Sequence, residues 1–174
     1  MQSAYILTCI GDDRPGLVES LSEVIEKRGG NWLESRLSQL GGKFAGLVLV
    51  TLPQEQAAAL EKELKSLAAS GLSVRVTPAG THSDTYRGRH IKLSLIGPDR
   101  SGIVRQVSKA LAQSGVNVIE MESAVESAPM SAELLFNARI DAEIPEHISL
   151  HELDEQLDAI ANTMTLDIEL DYDN

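Results

Sequence analysis

The chain holds a single cysteine, Cys9. One thiol rules out an intrachain disulfide and a Cys-x-x-Cys metal site. It fits a reducing compartment, so a cytoplasmic location is expected. Aromatic residues are scarce, with two Phe, one Trp and three Tyr. They do not cluster, which argues against an RNA-binding sheet, where central strands display aromatics for base stacking. Long apolar runs are missing too. The longest, Leu47 to Val50, falls far short of the roughly 20 residues that span a bilayer. The opening Met1-Gln-Ser-Ala puts no basic stretch ahead of an apolar one, so no signal peptide is expected. Positive charge is in deficit. Fifteen Lys and Arg against 26 Asp and Glu give a formal net charge of −11, with no basic run. A nucleic-acid binder needs a basic face to displace counterions from phosphates, so no direct DNA or RNA contact is expected. The acidity serves solubility or steers encounter with a basic protein partner.

What is present describes a packed globular protein, 43% hydrophobic and 24% charged. Its 174 residues suit one ordinary domain or two small ones. An internal repeat favours two. Ile10-Gly-Asp-Asp-Arg-Pro-Gly-Leu-Val18 returns as Ile96-Gly-Pro-Asp-Arg-Ser-Gly-Ile-Val104, at an offset of 86 positions. The same offset lays Gly29 on Gly115, Asn31 on Asn117, Glu34 on Glu120 and Leu49 on Leu135, with no gap from residue 6 to residue 51. Identities fall at turn and cap positions, and apolar positions match by type. A unit this long, present only twice, is a domain and not a solenoid turn.

Each half reads as βαββαβ. Tyr5 to Ile10 is a short apolar strand. Pro15 to Arg28 is a helix whose Leu17, Val18, Leu21, Val24 and Ile25 share one face. Ile103, Val104, Val107, Ala110 and Leu111 repeat that spacing. Pro15 suits a first helical turn, and Gly29 and Gly115 suit left-handed helix ends. Asn31 to Leu40, the turn Gly41-Gly42, and Phe44 to Leu52 form a hairpin. Gln54 to Ala69 is a second helix, and Leu72 to Thr77 alternates as a last strand. The order is the α+β split βαβ unit of the ferredoxin-like fold. Residues 1–78 form the first domain, the polar segment 79–88 a linker, and 89–174 the second domain. In the second copy the hairpin turn lies near Ser127-Ala-Pro129, and the second helix runs from about Ser149 to Thr163.

Functional candidates gather in the loop between first strand and first helix. That loop is Gly11-Asp-Asp-Arg-Pro-Gly16, and its twin is Gly97-Pro-Asp-Arg-Ser-Gly102. A helix N-terminus offers unpaired N–H groups and partial positive charge, which attract a carboxylate. Gly11, Gly16, Gly97 and Gly102 let a ligand approach the backbone, and Arg14 and Arg100 stand in the same loops. Asp13 and Asp99 offer acceptors to a ligand amine. Asn31 and Asn117, at the start of the next strand, both donate and accept. A purely local reading stands beside this one: Asp13 caps the helix, Arg14 is a solvated surface residue, and Asn31 merely leaves the helix.

The pattern Gly-x-Asp-Arg-Pro-Gly-Leu-Val, with Asn fifteen positions after its last Gly, resembles the ACT domain, a small-molecule regulatory module of amino-acid metabolism. The resemblance covers nearly all of both halves. Two such domains in a chain with no enzyme attached resemble the glycine cleavage system transcriptional repressor family. The resemblance implies two ferredoxin-like ACT domains in tandem, paired side by side into a larger sheet within one chain or in a homodimer. It implies effector sites at domain interfaces near the loop after the first strand, built from Asp13 with Asn31 and Asp99 with Asn117. The family often has Asn at the Asp position. Asp keeps the acceptor for an amine, loses a donor for a carboxylate and adds a negative charge. The resemblance further implies a non-enzymatic protein that senses a small amino acid, glycine being the first candidate, and restrains a DNA-binding activator by contact.

Other chemistries find less footing. His147 and His151 are spaced as a helical metal pair, yet the His-Glu-x-x-His motif is absent. Ser149 is the expected cap of that helix. Cys9 reads as a small buried residue, and Trp32 and Phe44 as core or interface anchors. A small acyl-phosphatase-like hydrolase shares the βαββαβ order and would use Arg14 and Asn31. Its glycine-rich phosphate loop is missing, and no nucleophile stands beside a base. A ligand-independent interaction module is the third alternative. No metal or cofactor is expected.

Overall fold

The computed structural model describes residues 1–80, 88–129 and 131–172. The chain divides into two compact units, Met1–His82 and Ser83–Asn174. Of the expected linker, residues 81–87 lie outside the described residues, and Gly88 already belongs to a strand.

In the first unit, β1 (Gln2–Asp12) leads to α1 (Leu17–Lys27), β2 (Asn31–Leu40) and β3 (Lys43–Pro53). A 3-10 turn then opens α2 (Ala57–Ser66), a second one closes it, and β4 (Leu72–Pro78) ends the unit. The sheet order is β2-β3-β1-β4, all neighbours antiparallel. The second unit repeats it with β5 (Gly88–Pro98), α3 (Ile103–Gln113), β6 (Asn117–Ser127), β7 (Leu134–Pro145), α4 (Leu150–Met164) and β8 (Asp167–Tyr172). Its order is β6-β7-β5-β8. Both are ferredoxin-like βαββαβ folds, as the sequence predicts.

Alternation sets the core. In β1, Leu7 and Cys9 are buried while Thr8 and Ile10 are exposed; in β3, Val48, Val50 and Leu52 point inward. They meet Leu17, Leu21 and Ile25 of α1 and Leu60 and Leu64 of α2. The second core matches, with Leu93, Leu95, Ile140, Ala142 and Ile144 beneath Ile103, Val107, Leu111, Leu153 and Leu157. Each buried Leu, Ile or Val among them contributes about 1.5–3 kcal/mol by burial. Val18 and Val104, placed by periodicity on the buried faces, are instead 46% and 45% exposed.

The turns follow their residues. Gly41 and Gly42 both have positive φ, 58° and 76°, as a two-residue type I′ hairpin requires. Gly29 and Gly115 end their helices in the left-handed region. Ser149 caps α4, its hydroxyl accepting from the Glu152 N–H at 3.5 Å.

Three expectations need correction. Pro15 is not in the helix: Gly16 is the N-cap, at φ 87° and ψ 0°, and α1 begins at Leu17. A left-handed residue cannot continue a right-handed helix, so the turn ends there. For the same reason Asp13 is not a helix cap; no side chain caps α1. The ungapped repeat also fails beyond the hairpin. Leu49 pairs with Ile6, and the counterpart of Ile6, Lys92, pairs with Asp141. Asp141, not Leu135, is therefore the equivalent of Leu49, because the second hairpin has the longer connection.

Candidate functional site

The two β–α loops are built alike. Each follows the last residue of a central strand and hands over to a helix through a left-handed glycine, Gly16 or Gly102 (φ 98°). The Asp13 N–H donates to the Gly42 carbonyl at 3.0 Å, and the Asp99 N–H to the Leu134 carbonyl at 2.8 Å. Each loop is thus tied to the hairpin end of its sheet. Asp13, Arg14, Asp99 and Arg100 are exposed.

The glycines separate into two kinds. A Cβ at Gly11 would stand 2.7 Å from the Gly71 carbonyl oxygen, and one at Gly97 would stand 2.7 Å from the Thr165 carbonyl oxygen. These two let the loop before the last strand cross over the end of the central strand, which is a packing role. Gly16 and Gly102 face open space. Nothing lies within 4 Å of a Cβ at Gly102, and only a Glu19 carboxylate oxygen, at 3.9 Å, approaches one at Gly16.

That difference divides the copies. No side chain caps either helix, so the first-turn N–H groups of α1 and α3 lack side-chain partners. In α1, Glu19 stands in the first turn and brings its own carboxylate to the helix end. In α3 the same position holds Arg105, and the first turn has no acidic residue. The α3 terminus therefore combines helix-end positive potential with a guanidinium, both favouring an anion. Repeat alignment at offset 86 shows this Glu19–Arg105 exchange, which motif reading alone passes over.

Arg14 is engaged elsewhere. Its guanidinium donates to the Ser70 carbonyl, holding the loop against the turn before β4. Lys43 pairs with Asp12, and this hydrogen bond and charge, with a smaller contribution from Arg14, hold the Asp12 carboxyl below its ordinary range. Arg100 has no side-chain hydrogen bond among the described residues.

Asn31 and Asn117 are not beside these loops. Asn31 pairs with Thr51, which pairs with Ala4 near the start of β1. Asp13 follows the far end of that strand. At about 3.3 Å per residue the two stand roughly 30 Å apart. Asn117 is placed in the same way, through Glu143, opposite His90 at the start of β5. Within one domain, then, the fold brings Asp13 with Arg14 and Gly16, and Asp99 with Arg100 and Gly102, and keeps each Asn at the other end of its sheet.

The remaining candidates take ordinary places. Cys9 is buried, and burial pushes its thiol pKa up. His147 sits in the turn before α4, while His151 lies within it and faces Glu155 at 3.4 Å. Trp32 and Phe44 pack on the first core. Among the described residues no helix is long and apolar enough to cross a membrane.

Comparison with known proteins agrees with this architecture. The family model for the ACT domain matches residues 4–77 and again 89–171. A UPF0237 protein of Methanopyrus kandleri is 32% identical over 85 residues, which are 49% of this chain and 93% of that protein. A solved protein of unknown function from Galdieria sulphuraria is 28% identical, with a TM-score of 0.88 and both chains covered in full. A second solved structure, of a protein provisionally assigned as a glycine cleavage system transcriptional repressor, is 18% identical with a TM-score of 0.73. It covers 100% of this chain and 99% of its own, and the likeness is one of fold.

Proposed function

The chain belongs to the ACT-domain family, and we propose that it is a cytoplasmic, non-enzymatic regulator that senses a small amino acid. On this reading glycine is the first candidate ligand. The target is a DNA-binding activator of glycine cleavage genes, restrained by protein contact and not by direct reading of DNA. The fold neighbour provisionally assigned as a glycine cleavage repressor supports the choice of pathway. The net charge of −11 supports contact with a basic protein over contact with nucleic acid.

The observation that carries the reading is the open end of α3. Gly102 leaves the helix terminus unobstructed, Arg105 stands in its first turn, and Asp99 and Arg100 flank it. A zwitterion fits this chemistry: its carboxylate meets the N–H groups and Arg105, and its ammonium meets the Asp99 carboxylate. The first copy, with Glu19 at the same place, is the weaker site for an anion. Asp13 and Asn31, and likewise Asp99 and Asn117, serve one ligand only across two laterally paired domains, supplied within one chain or by a homodimer. Signalling is a population shift, in which ligand and activator favour different arrangements of the domains.

The test is melting temperature against a panel of amino acids. A ligand at a hundred times its dissociation constant adds about 2.7 kcal/mol to native stability. A selective rise with glycine or serine at millimolar concentration is the expected result. A flat panel would leave a ligand-independent interaction module as the better reading.

A further inference from the structure

The two units differ on the sheet face that no helix covers. In the first unit Ile6 and Ile10 of β1 and Ala45, Leu47 and Leu49 of β3 lie on that face, because they alternate with the core residues Leu7, Cys9 and Val48. Ile10 and Leu47 are 51% and 48% exposed. In the second unit the equivalent of Ile6 is Lys92, that of Leu47 is Arg139 and that of Leu49 is Asp141. The uncovered face of an antiparallel sheet is ordinarily polar. The second unit obeys that rule and the first breaks it, in one fold and one chain. The fold itself therefore has no need of these apolar side chains, and a contact does.

We propose that the helix-free face of the first sheet packs against the same face of a second copy of this chain, as a two-fold, face-to-face pair of sheets. The proposal goes beyond the regulatory reading and rests neither on it nor on any pairing at sheet edges. Sheets stacked in this way keep their strands within about 30° of one another and interdigitate the facing side chains. Four strands about 4.8 Å apart and about 30 Å long give a footprint of roughly 600 Å² per copy. The pair then buries roughly 1,200 Å², the lower bound for a specific interface.

Charge identifies the occupant. Glu34 and Arg36 pair at 2.9 Å along β2 on this same face, in register with Leu49 and Leu47. With a two-fold axis across the strands, β2 lies over its own copy and runs the other way. Glu34 of one copy then faces Arg36 of the other, twice. The patch is complementary to itself, as an isologous contact requires. The second sheet could not pair so. One row of its open face reads Glu120, Asp141, Lys92, Asp171, and against its own copy it would set carboxylate on carboxylate, which is costly.

Sedimentation equilibrium of the full chain at micromolar concentrations tests this, with circular dichroism to confirm that each variant is folded. Leu47→Arg with Leu49→Asp writes the second unit's residue types into the first, where the same fold already carries them. It should halve the mass of the wild-type assembly. Thr8→Lys, at an exposed position in register with Leu47, is the milder variant and should raise the dissociation constant at least tenfold. Arg139→Leu, on the other sheet, should leave the wild-type mass unchanged. A wild type that stays a monomer at every concentration overturns the proposal, as does an assembly whose mass survives both first-sheet variants. Neither result bears on the melting-temperature test of the amino-acid site, so the two readings fail separately.

Discussion

Asp13 and Asn31 stand at opposite ends of the first sheet, Asp13 bonded to the Gly41–Gly42 turn and Asn31 in register with Ala4. Side chains about 30 Å apart cannot hold one small ligand. Any amino acid gripped by both residue types must lie between two domains. On the proposed function, sensing and domain pairing are then one event.

The Glu19–Arg105 exchange predicts unequal copies. Arg105→Glu should remove the stabilisation by glycine while leaving the ligand-free melting temperature within about 4 °C, since exposed surface changes cost under about 0.5 kcal/mol and 1 kcal/mol moves the midpoint of a small domain by about 4–8 °C. Glu19→Ala should leave the glycine response in place. Melting curves with and without ligand decide it. Loss of the response in Glu19→Ala, with Arg105→Glu unaffected, would place the site in the first copy.

The loop glycines predict a stability pattern independent of any ligand. Gly97→Ala drives a methyl to 2.7 Å from both the Thr165 oxygen and a Leu166 methyl, and Gly11→Ala does the same against the Gly71 oxygen. Each should cost about 1–3 kcal/mol by overpacking. Gly80→Ala, with nothing within 4 Å, should cost almost nothing. Urea denaturation of the three variants checks the order.

Acid should loosen the first unit through Glu63. Lys27 and Arg28 of the α1 end both bond its carboxylate from across the helix pair, and these bonds hold its pKa below the ordinary value. The unfolded chain then binds the proton more readily. The contribution is whole above the ordinary glutamate value, about 4.3, and is lost as pH falls through the lower folded value. Glu63→Gln should flatten the acid limb of a stability–pH curve while changing little at pH 7 beyond the lost exposed pairing. An unchanged acid limb would show that the pairs do not persist in solution.

Cys9 should resist thiol reagents until the chain unfolds. It is 2% exposed, with its thiol 3.7 Å from the Gly46 carbonyl and its pKa raised by burial, and the thiolate is the reactive form. Labelling at pH 8 should proceed at the rate of opening and accelerate sharply in denaturant. Fast labelling of the native protein would contradict the packing of β1 against β3.

Much of this was legible in the residues. Periodicity two in Leu72, Val74 and Val76, the Gly-Gly turn and the repeated helix face define both folds, since local propensity and burial agree at those positions. Three things were not legible. The left-handed turn at Gly16 looks like a helix start, because a glycine followed by apolar spacing fits either. The lengthened second hairpin hides behind apolar residues that match by type at several registers. The separation of Asp13 from Asn31 depends on β3 and β1 lying antiparallel between them, a relation of strands that no local spacing encodes.

Isothermal calorimetry of the purified chain with glycine, alanine and serine tests the central claim most directly. The account predicts saturable heat for a small amino acid, glycine first, that disappears in Arg105→Glu and in Asp99→Ala while both variants stay folded. Absence of binding by any of the three, or binding that survives both substitutions, would contradict it.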